Sequence, residues 1–330
     1  MKPLRIALCY DLKPDYLAAG FSPEDVMEFD EQETVDSLAG GLEALGHRVE
    51  RVGRGVELAR RLAAGERWDL VFNFAEGVRG RSREAQVPAV CELFEQPYTF
   101  SDPLTCALTL DKPLAKRLVR DGGVPTPPFA VIDNPEAAAG VELEPPLFVK
   151  PAAEGSSKGV TGRSRVGSRE ELREVCAELL RAFHQPVLVE SYLPGREMTV
   201  GIVGNGDEAR VVGVMEVCFK NGMDGDYTAV NKQEFERRVA YRLLDGEPLA
   251  AKARERALAA YRLLSCRDVA RVDFRCDRAG EPCFLEINPL PGLHPTYSDL
   301  PILSTLAGIS YPDLLGRIVE ASGRRWGLWS

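Results

Sequence analysis

The sequence predicts an α/β protein of three packed units, the first carrying a parallel, Rossmann-like sheet. Three observations lead there. A chain of 330 residues exceeds one average domain. Its N-terminal third alternates short apolar runs with segments of helical period. Its C-terminal third holds a hairpin sequence, Arg271–Gly292, whose alternation sorts apolar and charged residues onto opposite faces.

In chain order, Leu4–Leu8 reads as a short strand. Val35, Leu38, Leu42 and Leu45 recur at helical spacing over Glu33–Leu45, and Gly46 stops that helix. Arg48–Val52 follows as a strand, then a helix near Val56–Ala64, a strand over Trp68–Asn73, a helix over Ser82–Glu95 and a short strand at Pro97–Phe100. This βαβαβ order implies a parallel sheet. The acidic loop Asp11–Asp30 is long for a connection and is a candidate lid or substrate loop.

The second unit opens near Thr105 with a helix carrying Asp111-Lys112, followed by the breaker run Gly122–Pro128. A strand, Leu147–Lys150, leads into a small-residue loop, Pro151–Gly159. The capping box Ser168-Arg-Glu-Glu171 opens a helix that reaches His184. The strand Pro186–Glu190 and the turn Leu193-Pro-Gly195 close the unit. The third holds strands near Thr199–Val203 and Val211–Cys218, a mobile-looking loop over Lys220–Glu234, a helix over Pro248–Leu264, the hairpin and a helix over Tyr311–Ala321. Gly204-Asn-Gly206 lies between two strands and reads as a hairpin turn. The divisions fall at 1–104, 105–197 and 198–330.

Composition narrows the function. Hydrophobic residues at 45% and charged residues at 28% describe an ordinary globular protein. A net charge of −9 argues against a nucleic-acid partner. No apolar run approaches the roughly 18 residues of a membrane span, and the apolar start is too short for a signal peptide. A cytoplasmic protein acting on small molecules is expected. Eight scattered cysteines without a Cys-x-x-Cys pair predict reduced, mostly buried thiols. The three histidines show no metal spacing, which argues against zinc.

The hairpin carries the strongest chemical signal. Asp277–Gly280 supplies turn chemistry. If Cys276 faces Cys283, then Val272, Phe274, Cys276, Cys283, Leu285 and Ile287 share an apolar face. Arg271, Asp273, Arg275, Glu286 and Asn288 share the other, with Asp273 opposite Glu286. Facing carboxylates repel unless a cation lies between them. Oxygen ligands of this kind suit Mg²⁺. A solvated polar cluster is the competing interpretation. The loop Glu154–Gly159 could turn backbone N–H groups toward phosphate oxygens, with Lys150 as a point charge, although a plain flexible loop fits as well. Glu190 and Glu197 could accept hydrogen bonds from a ribose or an adenine amino group, or could be surface carboxylates.

Taken in order, these features resemble the ATP-grasp superfamily, and within it the D-alanine–D-alanine ligase family. The resemblance runs from about Ala75 to Ser322. It rests on Lys150-Pro-x-x-Glu-Gly-Ser-Ser157 and on Arg271-x-Asp273 with Glu286-x-Asn-x-x-Pro-Gly292. It implies a three-domain ATP-grasp fold that uses ATP and two Mg²⁺ ions, with Mn²⁺ as an alternative, and it leaves a homodimer possible. Lys112 and Lys150 would contact ATP, while Glu154, Gly155, Ser156 and Ser157 would cover its phosphates. Glu190, Leu193 and Glu197 would hold adenine and ribose; Asp273, Glu286 and Asn288 would bind the metal ions. Arg271 and the N–H of Gly292 would stabilise the oxyanion of a tetrahedral intermediate. Lys232 best matches the γ-phosphate lysine of a lid formed by the Lys220–Glu234 loop, with Lys220 as competitor.

The implied chemistry joins two amino-acid-like molecules through an acyl phosphate. Three departures fall on the substrate side. The family's N-terminal Gly-Gly-x-Ser-x-Glu is replaced by Cys9-Tyr-Asp-Leu-Lys-Pro14, and the tyrosine after the lid lysine is Gln233. The serine that would bind the acceptor carboxylate, nine residues past Asn288, is Tyr297, flanked by His294, Pro295 and Thr296. The expected substrates are therefore D-alanine pairs, other amino acids or a biosynthetic intermediate, with D-alanine a poor acceptor. A non-catalytic ATP-binding module and a simple kinase are the rival readings.

Overall fold

A computed structural model describes residues 2–219 and 239–329. Strand β1 (Arg5–Tyr10) runs into a short helix, α1 (Lys13–Ala18). Helix α2 (Gln32–Ala44), strand β2 (Arg48–Gly53), helix α3 (Gly55–Ala63), strand β3 (Leu70–Phe74) and helix α4 (Gln86–Leu93) follow. The strands form a parallel sheet in the order β2-β1-β3, as the alternation predicted. The pleat of β1 sorts its residues into two cores. Ile6 and Leu8 pack with Val35, Leu38 and Leu42 of α2. Ala7 and Cys9 pack on the other side with Leu58, Leu62 and Val87.

The acidic loop is more structured than a bare connection. Tyr16 donates to Asp11 at 2.6 Å, and backbone bonds from Lys13 to Asp30 (3.0 Å) and from Asp30 to Asp11 (3.2 Å) close the loop at its base. Tyr16, Val26 and Phe29 form a small core of their own.

Helices α5 (Pro103–Leu110) and α6 (Lys112–Asp121) stand where one helix was expected. Asp111 leaves helical geometry (φ −83, ψ 90) and its carboxylate accepts from the N–H of Leu114 at 3.1 Å. Pro113, with a fixed φ and no N–H, suits the first turn of a new helix. Strands β4 (Phe129–Ile132), β5 (Leu147–Pro151), β6 (Arg165–Val166) and β7 (Val187–Ser191) make an antiparallel sheet in the order β4-β7-β5-β6. Helix α7 (Arg169–Phe183) backs it and opens on the predicted capping box. Ser168 Oγ accepts from the N–H of Glu171 at 3.1 Å, and the Glu171 carboxylate reaches back to the N–H of Gly167 at 2.6 Å.

A third sheet joins β8 (Glu197–Val203), β9 (Arg210–Phe219), β10 (Val239–Leu243), β11 (Val269–Cys276) and β12 (Pro282–Asn288), antiparallel throughout, in the order β10-β9-β8-β11-β12. Helices α8 (Pro248–Leu263), α9 (Asp299–Leu306) and α10 (Tyr311–Arg325) follow in the chain. Gly204–Gly206 lies in the β8–β9 turn, as read from the sequence. Helix α10 returns to the first sheet and buries Leu315 and Ile318 against α2. The helices meet so closely at Gly41 that a Cβ there would lie 2.5 Å from a Leu315 methyl. Among the described residues no helix is long and apolar enough to cross a membrane.

The hairpin pairs Asp273 with Glu286, as expected, but its register shifts between Asp273 and Phe274. Cys276 therefore lies opposite Pro282, not Cys283, and Phe274 pairs with Phe284. An extra residue on one strand reverses the alternation beyond it. Phe284 enters the core, edge-on to Phe274 at 6.2 Å, whereas Leu285 leaves the apolar face. All eight cysteines are free, and seven are buried.

One fully buried carboxylate ties the distant parts together. Asp268 accepts from the N–H of Phe100 (2.8 Å), Asn205 Nδ2 (3.0 Å), Ser322 Oγ (2.6 Å) and Arg325 Nη2 (2.7 Å). Replacing Asp268 with Ala should lower unfolding free energy by about 3–5 kcal/mol, because Arg325 and three other donors lose their acceptor in a dry site. Denaturant unfolding monitored by circular dichroism measures this, and a loss within about 1 kcal/mol would mean the network contributes little.

Candidate active site

An open cleft of about 850 Å³ lies between the second and third sheets. Its apolar lining includes Phe148, Val160, Tyr192, Leu193 and Leu285. The bulge that takes Leu285 off the core face is what turns it into this cleft. Lys150 and Glu190 enter from paired strands, and Glu197, Asp273, Arg275 and Glu286 enter from the third sheet. Such a mixture of flat apolar surface and cations suits a nucleotide.

Glu190 is less free than the sequence suggested. Its carboxylate is buried between Lys116 (2.6 Å) and Lys150 (3.0 Å). Burial pushes this carboxyl up, but the two lysines outweigh burial and hold it below its ordinary value. Burial likewise lowers Lys150, and Glu190 and Glu286 more than offset it. Lys116 was missed by the sequence reading. It lies four residues past Lys112 and so shares its face of α6. Its ammonium also donates to Thr126 Oγ1 and to the carbonyl of Phe284, each at 3.0 Å. Burial draws the Lys116 pKa down to about 8, against the pull of Glu190.

Lys112 turns instead to the hairpin. It donates to the carbonyl of Glu154 and lies 3.4 Å from Glu286. On the hairpin face Arg271 donates to both oxygens of Asp273 at 3.1 Å and lies 3.6 Å from Asp299. Asp273 also accepts from Thr199 Oγ1 at 2.9 Å. Burial, followed by repulsion from Glu286 and Asp299, raises the Asp273 carboxyl despite Arg271. Burial lowers Arg271, but Asp273 and Asp299 overcome it and raise the guanidinium. Two opposed carboxylates with the Asn288 amide beside them (3.4 Å from Asp273) form an oxygen-donor set that fits Mg²⁺.

The loop after β5 shows backbone strain. Ser156 and Ser157 are non-glycine residues in left-handed geometry, with φ of 47° and 58°. Successive turned peptides of this kind can aim N–H groups at one anion. Glu154 is engaged within the loop, accepting from Gln185 at 2.6 Å and lying 3.3 Å from Lys158. Glu197 pairs with Arg275 at 3.5 Å.

A second cavity, about 1640 Å³ including its open mouth, adjoins the first. Gly155, Ser156, Arg271, Asn288 and Gly292 line it from the cleft side. Met27–Glu31 line it from the acidic loop, which is thus a wall of this cavity, and Glu76 and Glu84 enter from the first unit. Of the three substrate-side residues expected, only Tyr297 lines it. Its hydroxyl is 3.2 Å from Thr34 Oγ1 and its ring stacks on His294 at 3.6 Å. His294 is buried behind Tyr297, and Thr296 is exposed and held by a bond to His294 Nδ1. Residue-by-residue matching overlooked Ser298, one position later, which does line the cavity. Its Oγ accepts from the N–H of His294 at 3.0 Å and would lie 2.9 Å from a Cβ at Gly292, so glycine is what fits there. Lys220, Lys232, Gln233 and the expected lid lie outside the described residues.

A parallel sheet followed by two antiparallel sheets that close on a nucleotide-sized cleft, with opposed carboxylates at its rim, is the architecture of an ATP-grasp protein. The pattern described as "D-ala D-ala ligase C-terminus" matches residues 118–320. The D-alanine–D-alanine ligase of Chelativorans sp. is 34% identical over 308 residues, covering 92% of this chain and 96% of that protein. Among solved structures, the D-alanine–D-alanine ligase of Bacillus anthracis complexed with ATP superposes with a TM-score of 0.75 at 22% identity, covering 98% of this chain and 99% of that one. The VanG D-Ala:D-Ser ligase of Enterococcus faecalis gives a TM-score of 0.73 at 21% identity, covering 97% and 100%. The chain belongs to the D-alanine–D-alanine ligase family.

Replacing Glu190 with Gln would leave Lys116, whose side chain is fully buried, without its counter-ion. The expected cost is about 3–5 kcal/mol of stability, read as a lower denaturation midpoint in urea. An unchanged midpoint would show that Lys116 is carried by Thr126 and the Phe284 carbonyl alone.

Proposed function

We propose that this chain is an ATP- and Mg²⁺-dependent carboxylate–amine ligase that joins two amino-acid-like substrates. The observation that carries this reading is a shared wall. The phosphate loop offers Ser157 to the nucleotide cleft and Ser156 to the adjoining cavity. The hairpin face offers Asp273 and Glu286 to the first and Arg271 and Asn288 to the second. A phosphoryl group held at that wall is within reach of a carboxylate in the cavity.

In this reading Lys150 neutralises phosphate charge, with Glu190 holding its ammonium in place. Asp273, Glu286 and Asn288 hold Mg²⁺, which when bound draws charge from the phosphoryl oxygens. A donor carboxylate takes the γ-phosphoryl group, and ADP leaves. The second substrate's amine then attacks the acyl carbon, and phosphate departs. Arg271 and the N–H of Gly292 face the oxygen that becomes negative in that step. Ser298 and the Tyr297 hydroxyl are the groups available to an acceptor carboxylate. D-alanine is one candidate for each substrate, and the bulk of Tyr297 favours a different acceptor. The three sheets are proposed to mark three domains.

ADP release measured over pairs of D- and L-amino acids, with mass spectrometry of the product, tests the reading. A condensed product should appear only when an amine acceptor is present. ADP without such a product would indicate a kinase, and no ADP with any pair would indicate a binding module. Glu286→Gln should reduce ADP release by at least about a hundredfold at saturating Mg²⁺, with the fold retained. Unchanged turnover would remove Glu286 from the metal site.

The pH dependence follows from Lys116. Its ammonium is charged below its pKa of about 8 and neutral above it, so the buried Lys116–Glu190–Lys150 row beneath the cleft loses one positive charge as pH rises through that value. The KM for ATP should therefore increase between pH 7 and pH 9. A KM that is flat over that range would exclude Lys116 from nucleotide affinity.

A further inference from the structure

The second cavity is far more acidic than one α-amino group requires. Four carboxylates, Glu28, Asp30, Glu76 and Glu84, line it together with Arg271 and the phosphate loop, where Glu28 accepts from the N–H of Gly155. Two further carboxylates at the cavity already have partners, Glu31 with Lys13 at 2.8 Å and Asp299 with Arg271 at 3.6 Å. Arg83 takes Glu28 at 2.7 Å. Among the described residues no ion pair reaches Asp30, Glu76 or Glu84.

Glu84 is the telling member. It is only 9% exposed and lines the cavity, and among the described residues its carboxylate makes no close ion pair; Arg83 and Lys112 act on it from further away. A buried carboxylate without a partner is costly, and such groups are retained where a ligand completes them. Burial raises the Glu84 carboxyl to about 7; Arg83 and, more weakly, Lys112 draw it down, while Glu28 and Glu286 repel it. Glu76 is also raised, first by burial and then by Glu84 and Glu28. The missing partner is a cation. Among the described residues no three His, Cys, Asp or Glu side chains gather as a metal cage. Spaced carboxylates suit an ammonium, whose three N–H donors can reach separate acceptors.

We propose that the amino-acid substrate carries a second ammonium, received by Glu76 and Glu84, so that this chain ligates a diamino acid in preference to a mono-amino acid such as alanine. The inference rests on the ligase reading above and adds the substrate class. The cavity then has two poles. Arg271, Gly292 and the metal-binding face take the carboxylate, and the acidic wall takes the ammonium groups. A substrate with one ammonium leaves part of that wall unsatisfied.

The test uses the full chain with ATP and Mg²⁺. ADP release is compared for 2,3-diaminopropionate and ornithine, in both enantiomers, against alanine and serine. The diamino acids should be favoured in kcat/KM by about ten- to a hundredfold, the range expected when a hydrogen bond to a charged group is made or lost. In Glu84→Gln and Glu76→Gln the preference should fall toward unity. Alanine used as well as the diamino acids, or a preference that survives both substitutions, would overturn the proposal while leaving the ligase reading intact. Thermal stability supplies a readout independent of turnover. Ornithine or diaminopropionate should raise the Tm in the presence of ADP and Mg²⁺ where alanine does not, and Glu84→Gln should abolish the difference. Equal shifts with all four amino acids, or no shift with any, would overturn the proposal even if no pair released ADP, a result that would separately defeat the ligase reading.

Discussion

Asp273 and Glu286 face each other across a pair of antiparallel strands, and much of the surrounding structure serves to make that opposition tolerable. Arg271 grips both oxygens of Asp273, Thr199 donates to it from the neighbouring strand, and Lys112 approaches Glu286 from a helix of the preceding unit. Asp299 sits behind Arg271. Each partner comes from a different element, so the pair holds its geometry only when β8, β11, β12, α6 and α9 are all in place. A site assembled this way is preorganised, since its charges are oriented by packing before any substrate arrives.

The same logic governs the cleft behind it. Lys116, Glu190 and Lys150 form a buried row in which a carboxylate bridges two ammonium groups. In a low-dielectric setting such a row is stable only as a whole, because removing one member strands the others. Lys150 is thereby presented to the cleft with its orientation set from beneath. The cavity beyond the phosphate loop is built differently. Its carboxylates outnumber their partners within the described residues, so its charge balance is left to what binds there.

Legibility in the sequence followed the range of the interaction responsible. The first sheet was readable because a strand period of two and a helix period of 3.6 are local properties, and Ile6, Leu8, Val35 and Leu38 display them directly. Asp273 opposite Glu286 was readable for the same reason, lying on the turn-distal side of the bulge with its own register intact. Cys276 opposite Cys283 was not, because one additional residue reversed the alternation between them. Helix α9 was not anticipated; it carries Pro301 in its first turn, where a proline costs no hydrogen bond. Matching Tyr297 to a serine by counting from Asn288 failed to anticipate that Ser298 also faces the cavity.

The sequence by itself determined which residue types could meet a nucleotide and a metal ion: the small-residue loop at Gly155–Ser157, the lysine before it and the carboxylates of the hairpin. These are short-range patterns, and their chemistry does not depend on what lies across the molecule. Only the tertiary structure decided that Glu190 is held by Lys116, that Leu285 turns into the cleft, and that Glu28, Asp30, Glu76 and Glu84 converge on one cavity. Lys116 and Glu190 are 74 positions apart and Glu28 and Glu84 are 56 apart, and nothing in local periodicity records a distance across the fold. Charge spacing in the chain and charge spacing in the cavity are separate quantities, and the packing of three sheets converts one into the other.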